Sequence, residues 1–455
     1  MTRNGFDRAL LIHRVAFSSN AYKSSESGIA PVSSEQTSHL RNLARKVLPA
    51  GTYGNLASDL IIVRGNAGRV WDIDGKEYVD FLIGSGPMLI GHAHPEVTAA
   101  VMEQLQRGTT YFLPNEHGIR LAAEIVEAVP CAEQVRFAST GTEADFYAMR
   151  LARAYRKRDK ILKFEGGYHG MSDYALMSLY PPADSNPALP HPDSAGIPER
   201  IGDDVIVAPF NDIEATREII HRHRDHLAGV IVEPMQRLVP PVPGFLKGLR
   251  EITREYGIVL IFDEVVTGFR LAYGGAQEYY GVTPDLCTLG KVCGGGFPLA
   301  AIAGRADIMR HFDPDKVKKS EFLIQIGTLN GNPVAAAAGL ATLKVLKRPG
   351  AYTELFAIGR QLRSSLEASL SRAGIPALVV GEPVLFDALF TARKQAHNYR
   401  ATLAVDPVVS QRFHGLLQER GILKGSGKIY VSLAHDERDI AQSAQAFDEA
   451  ARMAA

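Results

Sequence analysis

Gly257-Ile258-Val259-Leu260-Ile261-Phe262-Asp263-Glu264 and Asp285-Leu286-Cys287-Thr288-Leu289-Gly290-Lys291 are apolar runs of strand length, each ending on an ionisable side chain. The first is apolar on both faces, as a strand between two helix layers must be. It carries Asp263 at its far end. The second delivers Lys291 to Gly294-Gly295-Gly296. An amine brought from a strand end into a glycine-walled pocket can condense with an aldehyde, and a nearby carboxylate can keep a pyridinium nitrogen protonated. Together they point to pyridoxal 5'-phosphate, with Lys291 as its Schiff-base residue.

The same alternation extends both ways. Further strand candidates are Val135–Ala138, Lys160–Phe164, Val205–Ala208, Gly229–Glu233 and Ala300–Ala303. Residues 144–157 and 246–256 repeat apolar positions at helical spacing between them. Strands alternating with helices predict an α/β domain around a mostly parallel sheet. Val70–Phe81 reads as two alternating runs joined by Asp74-Gly75, a hairpin signal. Ala335-Ala336-Ala337-Ala338-Gly339 opens a helix whose small residues permit close packing. We expect an arm or linker over 1–40, the N-terminal part of a small α+β domain over 41–94, a large cofactor-binding domain over 95–345 and the rest of the small domain over 346–455.

Bulk properties narrow the function. The 455 residues carry 50 basic and 50 acidic side chains, so no net charge favours nucleic acid. Cys131, Cys287 and Cys293 are odd in number and apolar in setting, which suits a reducing cytoplasm. No run approaches the roughly 18 apolar residues of a membrane span. His92 and His94 lack a third ligand at useful spacing, so no metal is expected. His221-Arg222-His223-Arg224-Asp225-His226 reads as a solvated helix end.

Two glycine-containing turns follow strands. Ser139-Thr140-Gly141-Thr142-Glu143 would expose helix-start amides and hydroxyls to a phosphate; an ordinary N-cap is its other reading. In Glu165-Gly166-Gly167-Tyr168-His169-Gly170 the tyrosine could stack on a flat cofactor. His169 has no partner visible in the sequence, so no role is assigned to it. Gly327-Thr328-Leu329-Asn330-Gly331 is a turn before the alanine-rich helix. Gln236-Arg237 and Arg270 follow strand ends, on the side where α/β sheets bind ligands, so either arginine could grip a carboxylate or form a structural ion pair.

FDEVVTGFR, TLGKVCGGGFP, STGTEA, FEGGYHG, IVEPM, GPMLIGHAHP and GTLNGNPVAAAAGLATL together resemble the class III pyridoxal-phosphate aminotransferases of fold type I, in particular the glutamate-1-semialdehyde 2,1-aminomutase branch. The resemblance implies that Lys291 is the Schiff-base lysine and proton shuttle and that Asp263 binds the pyridine nitrogen. It places Val265 and Tyr168 on the two ring faces and Thr140, Gly141 and Thr142 on the phosphate. Thr328 would reach the cofactor phosphate of a neighbouring subunit, in a homodimer with shared active sites.

The chain also departs from that branch. Where the aminomutases carry an arginine near the start it has Ala57, and their SWGPM tryptophan is Ser85. Gln236-Arg237-Leu238 stands where an asparagine is expected near the cofactor's phenolic oxygen. The glutamate-bearing SAFEAGF-like segment is shortened to Gly425-Ser426-Gly427-Lys428-Ile429. We therefore expect a ping-pong aminotransferase, taking an amino group from a β-, ω- or unusual amino acid to a 2-oxo acid. Arg237 is the leading carboxylate anchor, with Gln236 and Arg270 as further substrate candidates. The alternative is the aminomutase that makes 5-aminolevulinate; a racemase, a decarboxylase or a non-enzymatic relative is a more distant reading.

Overall fold

The computed structural model describes residues 34–56 and 58–455. Residues 1–33, most of the expected arm, and Ala57 lie outside the described residues. A helix over Ser34–Val47 leads into three short strands, β1 (Ile62–Asn66), β2 (Arg69–Asp72) and β3 (Glu77–Asp80). The Asp74-Gly75 hairpin forms between β2 and β3. Gly75 takes φ +83°, and the Asp72 carboxylate accepts the N–H groups of Asp74 and Lys76 at 3.1 and 2.9 Å.

The large sheet is built from β4 (Gln134–Ala138), β5 (Lys160–Phe164), β6 (Val205–Ala208), β7 (Leu227–Val232), β8 (Val259–Glu264), β9 (Leu286–Leu289) and β10 (Ala300–Gly304), in the order β4-β10-β9-β8-β7-β5-β6. The four pairings from β9 to β6 are parallel, and β10 runs antiparallel to both β9 and β4. This is the α/β fold with a mostly parallel sheet. Strands β7, β8 and β9 are buried at every residue, as their mostly apolar sequence requires. Phe164, Phe210 and Phe245 meet edge to face on one side of it, with centroids 5.0–5.9 Å apart.

Chain ends come together elsewhere. Strands β11 (Leu378–Glu382) and β12 (Leu385–Leu389) form a hairpin, β13 (Ile422–Leu423) adds in parallel to β3, and β14 (Ile429–Tyr430) pairs with β12. Helices Ala351–Arg372 and Glu437–Ala454 pack on each other. The β3–β13 pairing joins the N-terminal strands to the C-terminal segment, and it lies well apart in sequence from the large sheet.

Two devices fix where β9 ends. The Asp285 carboxylate, just before β9, accepts Arg250 at 2.7 and 3.2 Å, Arg305 at 2.8 Å and the Leu260 N–H at 2.9 Å. This locks β9 beside β8 in the register Asp263↔Thr288. The alanine-rich helix Pro333–Leu346 then seats against the turn after Lys291. A Cβ on Gly339 would lie 2.1 Å from the Cys293 carbonyl oxygen, and one on Gly295 would lie 2.5 Å from the Ala338 carbonyl oxygen. Only glycine permits that approach.

Candidate active site

Adjacent strand ends bring the predicted residues together. Asp263, at the end of β8, is 5% exposed; its Oδ2 lies 2.8 Å from His169 Nδ1, and its Oδ1 accepts the Val265 N–H at 3.1 Å. Lys291 follows β9 through Gly290 and takes φ +48°, a conformation that side-chain-bearing residues rarely adopt. Burial pushes its amine below the usual lysine range; Lys428 and Arg270 push the same way, against Tyr430 and Asp263. A depressed amine pKa is what a lysine needs to act as a nucleophile at neutral pH.

Val265 ties the phosphate-site candidate to the lysine. Its side chain lies 3.0 Å from where a Cβ on Gly141 would stand and 3.1 Å from one on Gly290. Helix Gly141–Arg156 starts there with a capping box: Thr140 Oγ1 accepts the Glu143 N–H at 3.2 Å, while Glu143 accepts the Ser139 and Thr140 N–H groups at 3.0 and 2.9 Å. The N-cap reading thus holds for Thr140, which is committed to the helix end. Gly141 and Thr142 are the first helical residues, whose N–H groups the helix leaves unsatisfied. The turn after β5 closes on this start: Gly170 has φ +81°, and a Cβ there would strike Thr142 Cα at 2.6 Å.

Tyr168 stands half-buried in that turn, its N–H held by Glu233 at 2.9 Å. The Arg237 guanidinium lies 5.2 Å from its ring centroid and 5.0 Å from that of Tyr180, with Nε donating to the Gly166 carbonyl at 3.0 Å. Arg237 also holds positive φ, +60°. Gln236 is buried, with Nε2 donating to the Glu165 carbonyl at 2.6 Å. Arg270 sits differently. It is fully buried over the Tyr430 ring, 5.1 Å from the centroid, and is committed to the carbonyls of Gly86 and Val431. It ties the N- and C-terminal segments to the large sheet through these carbonyls, the structural role that the sequence also offered for it. Thr328 is exposed, on a turn beside exposed Ile326 and Leu329.

Four buried polar atoms at this site have no protein partner: His169 Nε2, Gln236 Oε1, Arg237 Nη2 and Arg270 Nε. Buried polar atoms are normally paired. Together with the desolvated Lys291 amine and the open helix start, they fit a flat, hydrogen-bonding, phosphate-bearing group. Among the described residues, no group of three His, Cys, Asp or Glu could hold a metal ion.

The Aminotransferase class-III family profile matches residues 52–437. The chain belongs to this family. Class III aminotransferases are pyridoxal 5'-phosphate enzymes of fold type I, and this chain is one of them. Glutamate-1-semialdehyde 2,1-aminomutase of Desulforudis audaxviator is 41% identical over an alignment of 424 positions that covers 90% of this chain and 96% of that protein. An omega-transaminase from Sphaerobacter thermophilus superposes with a TM-score of 0.87 at 38% identity, covering 93% and 98% of the two chains. A glutamate-1-semialdehyde-aminomutase from Pseudomonas aeruginosa PAO1 in complex with PMP gives 0.81 at 26% identity, covering 91% and 94%.

Class III motifs make most of this site readable, but not all. His169 takes no role from the sequence because its partner Asp263 lies 94 residues away. Tyr430 gives no signal at all. It is 3% exposed in β14, and although burial opposes ionisation, Lys428, Lys291 and Arg270 outweigh it, with Ser85 as a hydrogen-bond partner, and hold its phenol below the usual range. Ser85 and Tyr430 thus meet where the chain departs from the aminomutase pattern on both sides.

Proposed function

We propose that the site holds pyridoxal 5'-phosphate with Asp263 at the ring nitrogen, Lys291 at the aldehyde carbon, Gly141 and Thr142 with a flanking Thr140 at the phosphate, and Val265 and Tyr168 against the ring. When bound, the cofactor supplies an electron sink that weakens the bonds at the amine-bearing carbon of a substrate. Lys291, once displaced, is the base that takes and returns the proton there. Asp263 keeps the ring nitrogen protonated. Residues 95–345 are the cofactor-binding body in this reading, and 41–94 with 346–455 form the small domain.

The reaction is transfer of an amino group from a carboxylate-bearing amine to a 2-oxo acid, in two half-reactions. Arg237 carries this conclusion. Its guanidinium lies between two tyrosines beside the proposed ring, held in a left-handed backbone conformation costing about 1–3 kcal/mol, with Nη2 unpartnered. Such an arrangement suits a substrate carboxylate. The second reading is the aminomutase, and the 41% identity to a curated aminomutase favours it. The Ser85–Tyr430 wall and the short Gly425–Ile429 segment favour the first. Turnover of glutamate-1-semialdehyde without a second substrate would decide for the aminomutase. Conversion of the cofactor's near-visible band by a donor alone, and its return with pyruvate or 2-oxoglutarate, would decide for the transaminase.

Arg237→Ala is expected to lower kcat/KM for carboxylate-bearing donors by about 10²-fold, the scale of one charge-assisted bidentate contact, and for plain amines by less than about 3-fold. Equal losses on both would remove Arg237 as the anchor. A homodimer completes the proposal. Phe112, Leu113, Ile324 and Ile326 are 67, 74, 64 and 75% exposed, close in sequence to the Gly327–Gly331 turn or to helix Glu116–Ala128. Such apolar exposure suits a subunit interface that would carry Thr328 to a neighbouring site. The three cysteines are free, buried thiols, which supports a cytoplasmic setting. No described helix is long and apolar enough to cross a membrane.

A further inference from the structure

Beside Asp263 lies a second carboxyl that the proposed reaction does not use. Asp145 projects from helix Gly141–Arg156 toward the sheet and is 2% exposed. The Thr288 hydroxyl, on β9, donates to Asp145 Oδ1 at 2.6 Å and lies 3.4 Å from Asp263 Oδ1, so one hydroxyl spans both carboxyls. The charges acting most strongly on Asp145 are Asp263 and Glu233, both acidic. His169 turns to Asp263, and Tyr168 lies close to both aspartates. Two buried carboxyls that share one hydroxyl cannot both ionise cheaply.

We propose that Asp145 is a positioning residue that carries a proton and donates it to Asp263, so that the pair acts as one singly charged anion facing the ring nitrogen. The hydrogen-bond chain runs Thr288 O–H to Asp145 Oδ1, then Asp145 O–H to Asp263. His169 Nδ1 and the Val265 N–H complete the set of donors to Asp263. Asp145 thereby fixes the angle of the ring-binding carboxylate without adding a second negative charge. Burial, followed by the neighbouring Asp263, lifts the Asp145 carboxyl well above the usual range, in agreement with the geometry.

The role at the ring nitrogen rests on the cofactor placement proposed above, whereas the shared proton does not. Two measurements separate them. In cofactor-free protein, a carboxyl whose folded pKa is raised contributes stability that is complete below its unfolded value near 4 and is lost as pH rises toward the folded value. Asp145→Asn removes that loss. The Tm of the variant minus that of the parent should therefore climb by about 5 °C between pH 5 and pH 8; a flat difference overturns the shared proton.

In loaded enzyme, Asp145→Asn exchanges one neutral donor for another, so the midpoint of the absorbance–pH titration of the lysine-bound cofactor should stay within about 0.3 unit. Loss of a true negative charge would lower it by about a unit, which would sink the proposal. Asp145→Ala takes away the close acceptor of the Thr288 hydroxyl and one donor to Asp263, and should speed cofactor loss on dialysis about 10-fold, with Asn restoring retention. Retention in the Ala variant equal to the parent would remove the positioning role while leaving the stability result standing.

Discussion

Lys291→Ala should abolish amino-group transfer, with turnover falling at least about 10⁴-fold, the upper range for a positioned general base. The expectation follows from where the backbone puts the amine. Lys291 is held at φ +48° against a turn on which Gly295 and Gly339 admit the alanine-rich helix. Among the described residues, no other amine is delivered to the Asp263 end of β8 in the same way: Lys428 belongs to the C-terminal segment, 5.9 Å from the Tyr430 ring centroid. Lys163, buried nearby in β5, is committed to the Ala175 and Met177 carbonyls at 2.7 and 2.6 Å. The variant should fold, because alanine meets the same backbone demand as lysine there and leaves no buried charge unpaired. Borohydride trapping followed by mass spectrometry checks the assignment. The parent should carry the cofactor on the peptide containing Lys291, and the variant should carry none. A trapped cofactor on any other lysine of the parent would refute the placement of the site.

The large sheet is legible in the sequence because its strands are buried on both faces: a run such as Val259-Leu260-Ile261-Phe262 has no polar alternation to confuse with a helix or an edge strand. The Asp74-Gly75 turn is legible because a positive φ restricts residue choice. Asp263 and Lys291 can be paired because both stand at strand ends next to chemistry-bearing side chains. What stays hidden depends on contacts across long separations. Nothing near Asp145 in the chain announces that Thr288, 143 residues on, will bridge it to Asp263. Nothing near Arg270 shows that its guanidinium closes on Gly86 and Val431, which come from opposite ends of the chain. An arginine after a strand end looks the same in sequence whether it faces solvent or is spent on carbonyls, and only the fold separates Arg237 from Arg270.

Asp263→Asn should cost about 10²–10⁴-fold in kcat with little loss of folding. The amide is nearly isosteric, so it can keep a contact with the Val265 N–H and with His169, which lie at 3.1 and 2.8 Å from the two oxygens. It cannot carry the negative charge that holds a proton on the ring nitrogen, and an unprotonated ring is a poor electron sink. The loss should therefore fall on the proton-transfer step, seen as a rising primary isotope effect with a substrate deuterated at the amine-bearing carbon, while Tm stays within a few degrees. The Asp145 proton also loses its charged acceptor. Because the two side chains act as a unit, their effects should not add: Asp145→Ala, which speeds cofactor loss in the parent, should change it far less when combined with Asp263→Asn. A fall in kcat below about 10-fold for Asp263→Asn would mean that the ring nitrogen faces another group, and the strand ends would then have to hold the cofactor in a different orientation.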